Sequence, residues 1–308
     1  MKKILLLRLI CNNCFAQKDY TKLVNPFIGT GGHGHTYPGA TSPFGAVQLS
    51  PDTRMADWDG SSGYHYSDSI IYGFSHTHLS GTGIPDYCDI LMQPTIGKYE
   101  WNNKDYASTF SHKSEKAYAG YYGVHLDKYN VDVELTTSNW TGISSFQFSK
   151  NEKYGNVLLD LIHRDEVIES YINILSDGLV IGYRISKSWA QNQKIYFAAK
   201  FNKKIIKNEI NINKSNTKML DTKSAIGKAL QAYFTFDVSD GKPVEVEVAV
   251  SGISADFAAL NLISTNSEIG FTNTLKSNVR RWNEHLSTIK IESFAENNID
   301  TTFYTNMW

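Results

Sequence analysis

VEVEVAV, residues 244–250, sets a valine at every second position with glutamate or alanine between. Side chains on a β-strand alternate between its faces, so a strand here gathers Val244, Val246, Val248 and Val250 on one side and turns Glu245 and Glu247 to the other. Further runs of strand length lie upstream, divided by turn residues: Val131–Leu135, Gly142–Phe148, Asn156–Leu161, Leu179–Ile185, Lys194–Phe201 and Ala229–Phe236. Many short strands at this spacing predict a sandwich of antiparallel sheets.

Downstream of that stretch the period changes. Phe271, Leu275, Val279, Trp282 and Leu286 recur every three or four residues, which predicts one apolar stripe on a helix over about 267–287. A short extended piece, Ile289–Ser293, and a second helix-like segment, ENNIDTTFYTNMW at 296–308, follow. Met307 and Trp308 fall inside an apolar pattern, so a continuation is expected beyond them.

With 308 residues the chain has room for one large or two medium domains. Its 30 Lys and Arg balance 31 Asp and Glu, so neither a nucleic acid nor an anionic membrane is an expected partner. Residues 1–16, MKKILLLRLICNNCFA, have the order of a secretory signal peptide, with cleavage expected after Ala16 and a periplasmic or secreted mature protein. Neither Cys11 nor Cys14 follows the usual small residue, which disfavours a lipoprotein. Loss of both leaves Cys88 alone, so no disulfide framework is expected. No stretch approaches the roughly 18–20 apolar residues of a membrane span.

Residues 24–97 hold 12 of the 22 glycines and five of the nine histidines, without helical periodicity. Glycine permits tight turns, and clustered His and Tyr offer polar tips. This segment therefore reads as loops and short strands that shape a surface site.

Four phrases in it and after it resemble, in order and spacing, the amino-terminal domain of glycoside hydrolase family 92, the calcium-dependent exo-acting α-mannosidases. They are VNPFIGTGGHGHTYPGATSPFGAVQLSPDT (24–53), WDGSSGYHYSD (58–68), IYGFSHTHLSGTGIPDYCDILMQPT (71–95) and GYRISKSWAQNQKIYFAAKF (182–201), with support from LIHRDEVIES (161–170), RRWNEHLSTIKIE and TTFYTNMW. The resemblance implies a mostly β fold, a β-supersandwich of the galactose-mutarotase type, followed by a helical linker that leads into a helical barrel. The implied division is a signal peptide at 1–16, a β-sandwich domain at 17–252, a linker at 253–293 and the start of the barrel domain at 294–308. It further implies that the general acid, the general base and most ligands of the family's calcium lie in the barrel, so no catalytic residue and no metal ligand is expected in this chain. Two departures stand out: Ser61 where many members have Cys, and FNKKIIKNEI (201–210) in place of the usual Ser-Lys-Pro-Phe phrase.

Sugars present apolar C–H faces edged by hydroxyls, so a site for them wants aromatic platforms beside polar groups. The expected substrate-binding residues are Gly32, His35, Phe44, Trp58, Asp59, Ser61, His76, His78 and Asp86. Trp58, His35, Asp59 and Asp86 are expected on one exposed concave face. Asp52, Asp57, Asp68 and Asp89 read instead as caps and loop braces. The expected function is the sugar-site part of an exo-α-mannosidase acting on N-glycans or mannans, inactive alone, with a mannose-terminated glycan and a possible separate barrel-carrying chain as partners. Two alternatives stay open: a non-catalytic carbohydrate-binding module, and a zinc or iron protein built on His33, His35, His76 and His78. GTGGHG (29–34) lacks the Lys-Ser/Thr and helix of a phosphate loop, which excludes that chemistry.

Overall fold

A computed structural model describes residues 18–175, 178–212, 218–264, 270–291 and 298–308. The leader lies outside the described residues, as do 267–269 of the expected helix and 292–293 of the expected extended piece.

Strand Val244–Ser251 occupies the centre of a nine-stranded sheet, between Gln193–Phe201 and Thr141–Gln147. Val248 stands opposite Ala199 on one neighbour and Gly142 on the other, and all pairings between described strands are antiparallel. An eight-stranded sheet with Leu91–Thr95, Tyr154–Asp160 and Leu230–Asp237 at its middle packs against it. Val133, Leu135, Phe146, Phe197 and the four valines of 244–250 interleave with Leu49, Phe74, Met92, Val157, Phe234 and Phe236. Each such side chain taken out of water stabilises the sandwich by about 1.5–3 kcal/mol. The mostly β sandwich expected from the alternation is the fold observed.

Outside the interface, Ala198 and Ala249 face the other way, and their small side chains let helix Ala255–Ser264 lie close through Ala258 and Leu262. That helix falls in the expected helical linker, although no apolar stripe in the sequence marked it. The expected long helix spans Phe271–Leu286, but its buried stripe is Phe271, Thr274, Asn278, Trp282 and Leu286, with Leu275 and Val279 only half-buried. A helix Ile299–Met307 follows, while 289–291 forms no strand.

Asn278 explains the shifted stripe. Its amide donates to the carbonyls of Thr41 (3.1 Å) and Gly120 (3.3 Å) and to Thr137 Oγ1 (3.2 Å), and its oxygen accepts from Ser42 (2.8 Å). Gly120, at φ 88°, leaves the room, since a Cβ there would stand 2.9 Å from the Asn278 nitrogen. One polar side chain thus ties the long helix to both sheets. Asn278→Ala strands those buried groups and should lower unfolding free energy by about 2–3 kcal/mol, read as a lower urea midpoint with unchanged slope. A shift under about 0.5 kcal/mol would show that the tie carries no weight.

Candidate functional site

Three Gly-rich loops and two strand ends meet at one edge of the sandwich. Trp58, 57 % exposed, stands on this edge with its ring against His35 (centroids 4.1 Å apart, edge-on) and His33 (5.3 Å). His33 Nδ1 lies 2.6 Å from Asp59 Oδ1, so the carboxylate that follows Trp58 in the chain holds the loop that flanks it. Gly83, at φ 65°, passes under the indole where a Cβ would stand 2.6 Å from its nitrogen. Close approach by a bare backbone is what puts the three loops together. Trp58, Asp57, Gly83, Arg164, Asp165 and Lys187 line an open cleft of about 420 Å³.

A buried ionic layer supports this cleft. His78 Nε2 lies 3.0 Å from Asp52 Oδ1, and its Nδ1 lies 2.8 Å from the Gln48 carbonyl. Burial alone favours a neutral ring, yet Cys88 and Asp52 outweigh it and push His78 up to about 10. Burial likewise opposes charge on Asp52, but His78 and His163 hold its carboxyl well below the usual range. His163 Nε2 stands 3.2 Å from Asp52 Oδ2, close enough for an ionic contact but poorly aligned for a hydrogen bond. Arg164, at φ 72°, donates to Cys88 Sγ (3.1 Å) and to the Gly60 carbonyl (2.6 Å), linking this layer to the cleft wall.

Beside it, the fully buried Arg184 donates to Asp89, to Ser186 Oγ (2.9 Å) and to the carbonyls of Leu161 (3.1 Å) and His163 (2.8 Å). Asp89 also accepts from Thr77 (3.0 Å) and Gln193 (2.6 Å). Asp165 is left over. Its Oδ2 is buried with no hydrogen-bond partner, 3.9 Å from an Arg184 nitrogen already engaged. Burial pushes its carboxyl up to about 7, with Asp89 and Asp86 adding to the rise and Arg184 opposing it.

Of the four residues expected on one exposed face, Trp58, His35 and Asp59 lie together, with Trp58 lining the cleft and His35 buried behind it. Asp86 follows Pro85 of the cleft lining but is buried, and its two oxygens accept from the amides of Trp189 (2.9 Å) and Ala190 (2.8 Å). It braces a neighbouring turn where a sugar contact was expected. His76 and His78 sit beneath the surface, His76 bonded to the Ile90 carbonyl (2.7 Å) and lowered to about 4 by burial. Both rings are buried and bonded through Nδ1 to a backbone carbonyl, which sets them below the open cleft where a sugar contact was expected. Ser61 is buried, with its hydroxyl unpartnered. Gly32 is on the exposed loop, where its carbonyl lies 3.1 Å from His65 Nε2. Phe44, 92 % exposed, stands in a separate depression with Trp282, His285 and Trp308, which shares no lining residue with the Trp58 cleft. No role was expected for Arg164 and Asp165, although both fall in the LIHRDEVIES phrase; the partners of Arg164, Cys88 and Gly60, lie 76 and 104 positions away.

His33, His35, His76 and His78 do not converge. Among the described residues one group of donors does, Asp52, His78 and Cys88, all buried. Calcium takes six to eight oxygens at roughly 2.3–2.6 Å, so a set of one carboxylate, one imidazole and one sulfur does not fit it. No helix among the described residues is long and apolar enough to cross a membrane.

Residues 23–251 match the glycosyl hydrolase family 92 N-terminal domain. A family GH92 α-mannosidase of Bacteroides thetaiotaomicron is 33 % identical and superposes with a TM-score of 0.87 over 94 % of this chain and 41 % of its own. The same α-mannosidase has also been solved with mannoimidazole. A GH92 inverting mannosidase of that organism is 26 % identical, with a TM-score of 0.82 over 93 % of this chain and 38 % of its own. A secreted glycosidase of Arthroderma benhamiae, itself uncharacterized, is 30 % identical over 154 residues, 47 % of this chain and 19 % of that protein. The chain thus corresponds to the N-terminal part of its solved relatives and spans about two fifths of their length.

Proposed function

The chain belongs to glycosyl hydrolase family 92, whose N-terminal domain it carries, and from that premise we propose that the Trp58 cleft is the sugar-facing part of an exo-α-mannosidase site. The observation that carries this reading is Trp58 itself: a large aromatic face left open to solvent, held by His35 and His33, beside a polar cleft. An apolar sugar face stacks on such a ring while its hydroxyls meet the polar rim. The substrate would be the mannose end of an N-glycan or mannan, met outside the cytoplasm as the leader suggests. Calcium, in this reading, draws its oxygen ligands from outside the described residues, and so do the acid and base.

Retained sugar recognition without turnover is the second reading. It is favoured by the internal use of Asp52, Asp59, Asp68, Asp86 and Asp89, each paired with a histidine, an arginine or backbone amides. Both readings require the chain to bind a mannoside. Trp58→Ala should weaken methyl α-mannoside binding, followed by ligand-observed NMR, by about 1–3 kcal/mol. Release of mannose from an aryl α-mannoside by this chain with calcium would decide for chemistry within it. Equal binding by Trp58→Ala and wild type would remove the cleft from consideration.

A further inference from the structure

Among the described residues lining the cleft, Asp165 is the carboxyl with a buried oxygen that has no hydrogen-bond partner. Its side chain is 4 % exposed, it lines the cleft, and among the described residues no hydrogen bond reaches its buried Oδ2. Buried carboxylates normally accept several hydrogen bonds or pair with a cation, because leaving them bare costs several kcal/mol. The nearest cation, Arg184, is spent on Asp89, Ser186 and two carbonyls. The charged groups around Asp165 are Arg184, Asp89, Asp86 and Arg164, with Asp57, Glu166 and Lys187 on the cleft rim. Burial, with the nearby Asp89 and Asp86, disfavours the charged form and pushes this carboxyl up to about 7, so the neutral acid predominates below neutral pH. A neutral carboxyl is a hydrogen-bond donor that a carboxylate cannot be.

The ligand class follows from the same charges. Arg184 and Arg164 repel a cation, and Asp86, Asp89 and Glu166 repel an anion, which leaves an uncharged, hydroxylated ligand. We propose that Asp165 is a ligand-binding residue of the Trp58 cleft, giving the proton of its un-ionised carboxyl as a hydrogen bond to a hydroxyl oxygen of the bound sugar. The proposal rests on the reading of the cleft as a sugar site.

It makes binding depend on pH in a stated direction. With the carboxyl at about 7, the donor form is nearly complete at pH 6 and falls to roughly one part in thirty at pH 8.5. Methyl α-mannoside should therefore bind the wild-type chain roughly 30-fold more weakly at pH 8.5 than at pH 6. Asp165→Asn keeps a donor at the same place and should bind alike at both pH values, whereas Asp165→Ala should be weak at both. Carbon-13 NMR of the Asp165 carboxyl in the unaltered chain gives a second readout that needs no variant. Its titration midpoint should lie near 7 and rise when mannoside is added. An Asp165 already ionised at pH 5, or an Asp165→Asn chain with the wild-type pH loss, overturns the proposal. Binding that needs Trp58 but not Asp165 overturns it and leaves the sugar site standing. Absence of any mannoside binding at pH 6 removes both.

Discussion

Arg184→Met should destabilise the protein by about 3–5 kcal/mol. Arg184 is buried and holds four groups at once: Asp89, Ser186 Oγ and the carbonyls of Leu161 and His163. Methionine matches its length but donates nothing. Asp89 would keep Thr77 and Gln193, yet its charge would face no cation at hydrogen-bond distance in a dry interior. The cost comes from that uncompensated charge more than from the lost bonds. Adding Asp89→Asn to Arg184→Met should therefore recover part of the loss, and the coupling read from urea unfolding of the four proteins measures it. A loss under 1 kcal/mol for Arg184→Met, or additive effects of the two changes, would refute this account. The Leu161 and His163 carbonyls flank the turn that carries Arg164 and Asp165, so the cleft wall should loosen with the same change.

His78→Ala should cost a similar amount at pH 7, about 3–5 kcal/mol, because it leaves Asp52 buried with only the poorly aligned His163 beside it. The pair also sets how stability varies with pH. His78 is raised in the folded state from about 6.5 to about 10, so its contribution is complete below pH 6.5 and is lost as pH rises through 10. Asp52 is lowered, so its contribution is present above about pH 4 and is lost as pH falls below that. The pair supports the fold most between about pH 4 and 6.5. Thermal unfolding at pH 6 and pH 10 tests this: wild type should lose melting temperature between the two, and His78→Ala should lose distinctly less. Equal losses would mean that His78 does not carry the charge assigned to it.

How far the residues alone led can be judged from three places. The alternation at 244–250 and the runs upstream were enough for a mostly β sandwich, because a period of two depends only on neighbours in the chain. The long helix was legible from its period of three or four, but Asn278 was not. A polar residue on a buried face is recognised only once the carbonyls of Thr41 and Gly120, 237 and 158 positions away, are seen to meet it. Helix 255–264 was covered only by the helical linker that the resemblance implied, because its core face, Ala258 and Leu262, rests on alanines of two strands and leaves Phe257, Leu260 and Ile263 exposed, so no single apolar stripe marks it.

The site divides the same way. Composition and motif placed an aromatic and polar cluster in residues 24–97, and Trp58, His35 and Asp59 are found together there because short Gly-rich loops bring them into reach. Composition treats every histidine and aspartate in that segment alike, however, and only packing separates them. His78 and Asp52 went under the surface as an ion pair, Asp86 became a brace for the turn at 189–190, and Phe44 fell into another depression. Burial pushes the Asp165 carboxyl up to about 7, and Arg184, 19 residues on, offsets this only in part because it is engaged by Asp89, 76 residues back from Asp165. Local periodicity is written in adjacent residues and can be read from them; the charge state of a buried carboxyl is a sum over neighbours that become neighbours only when the two sheets close.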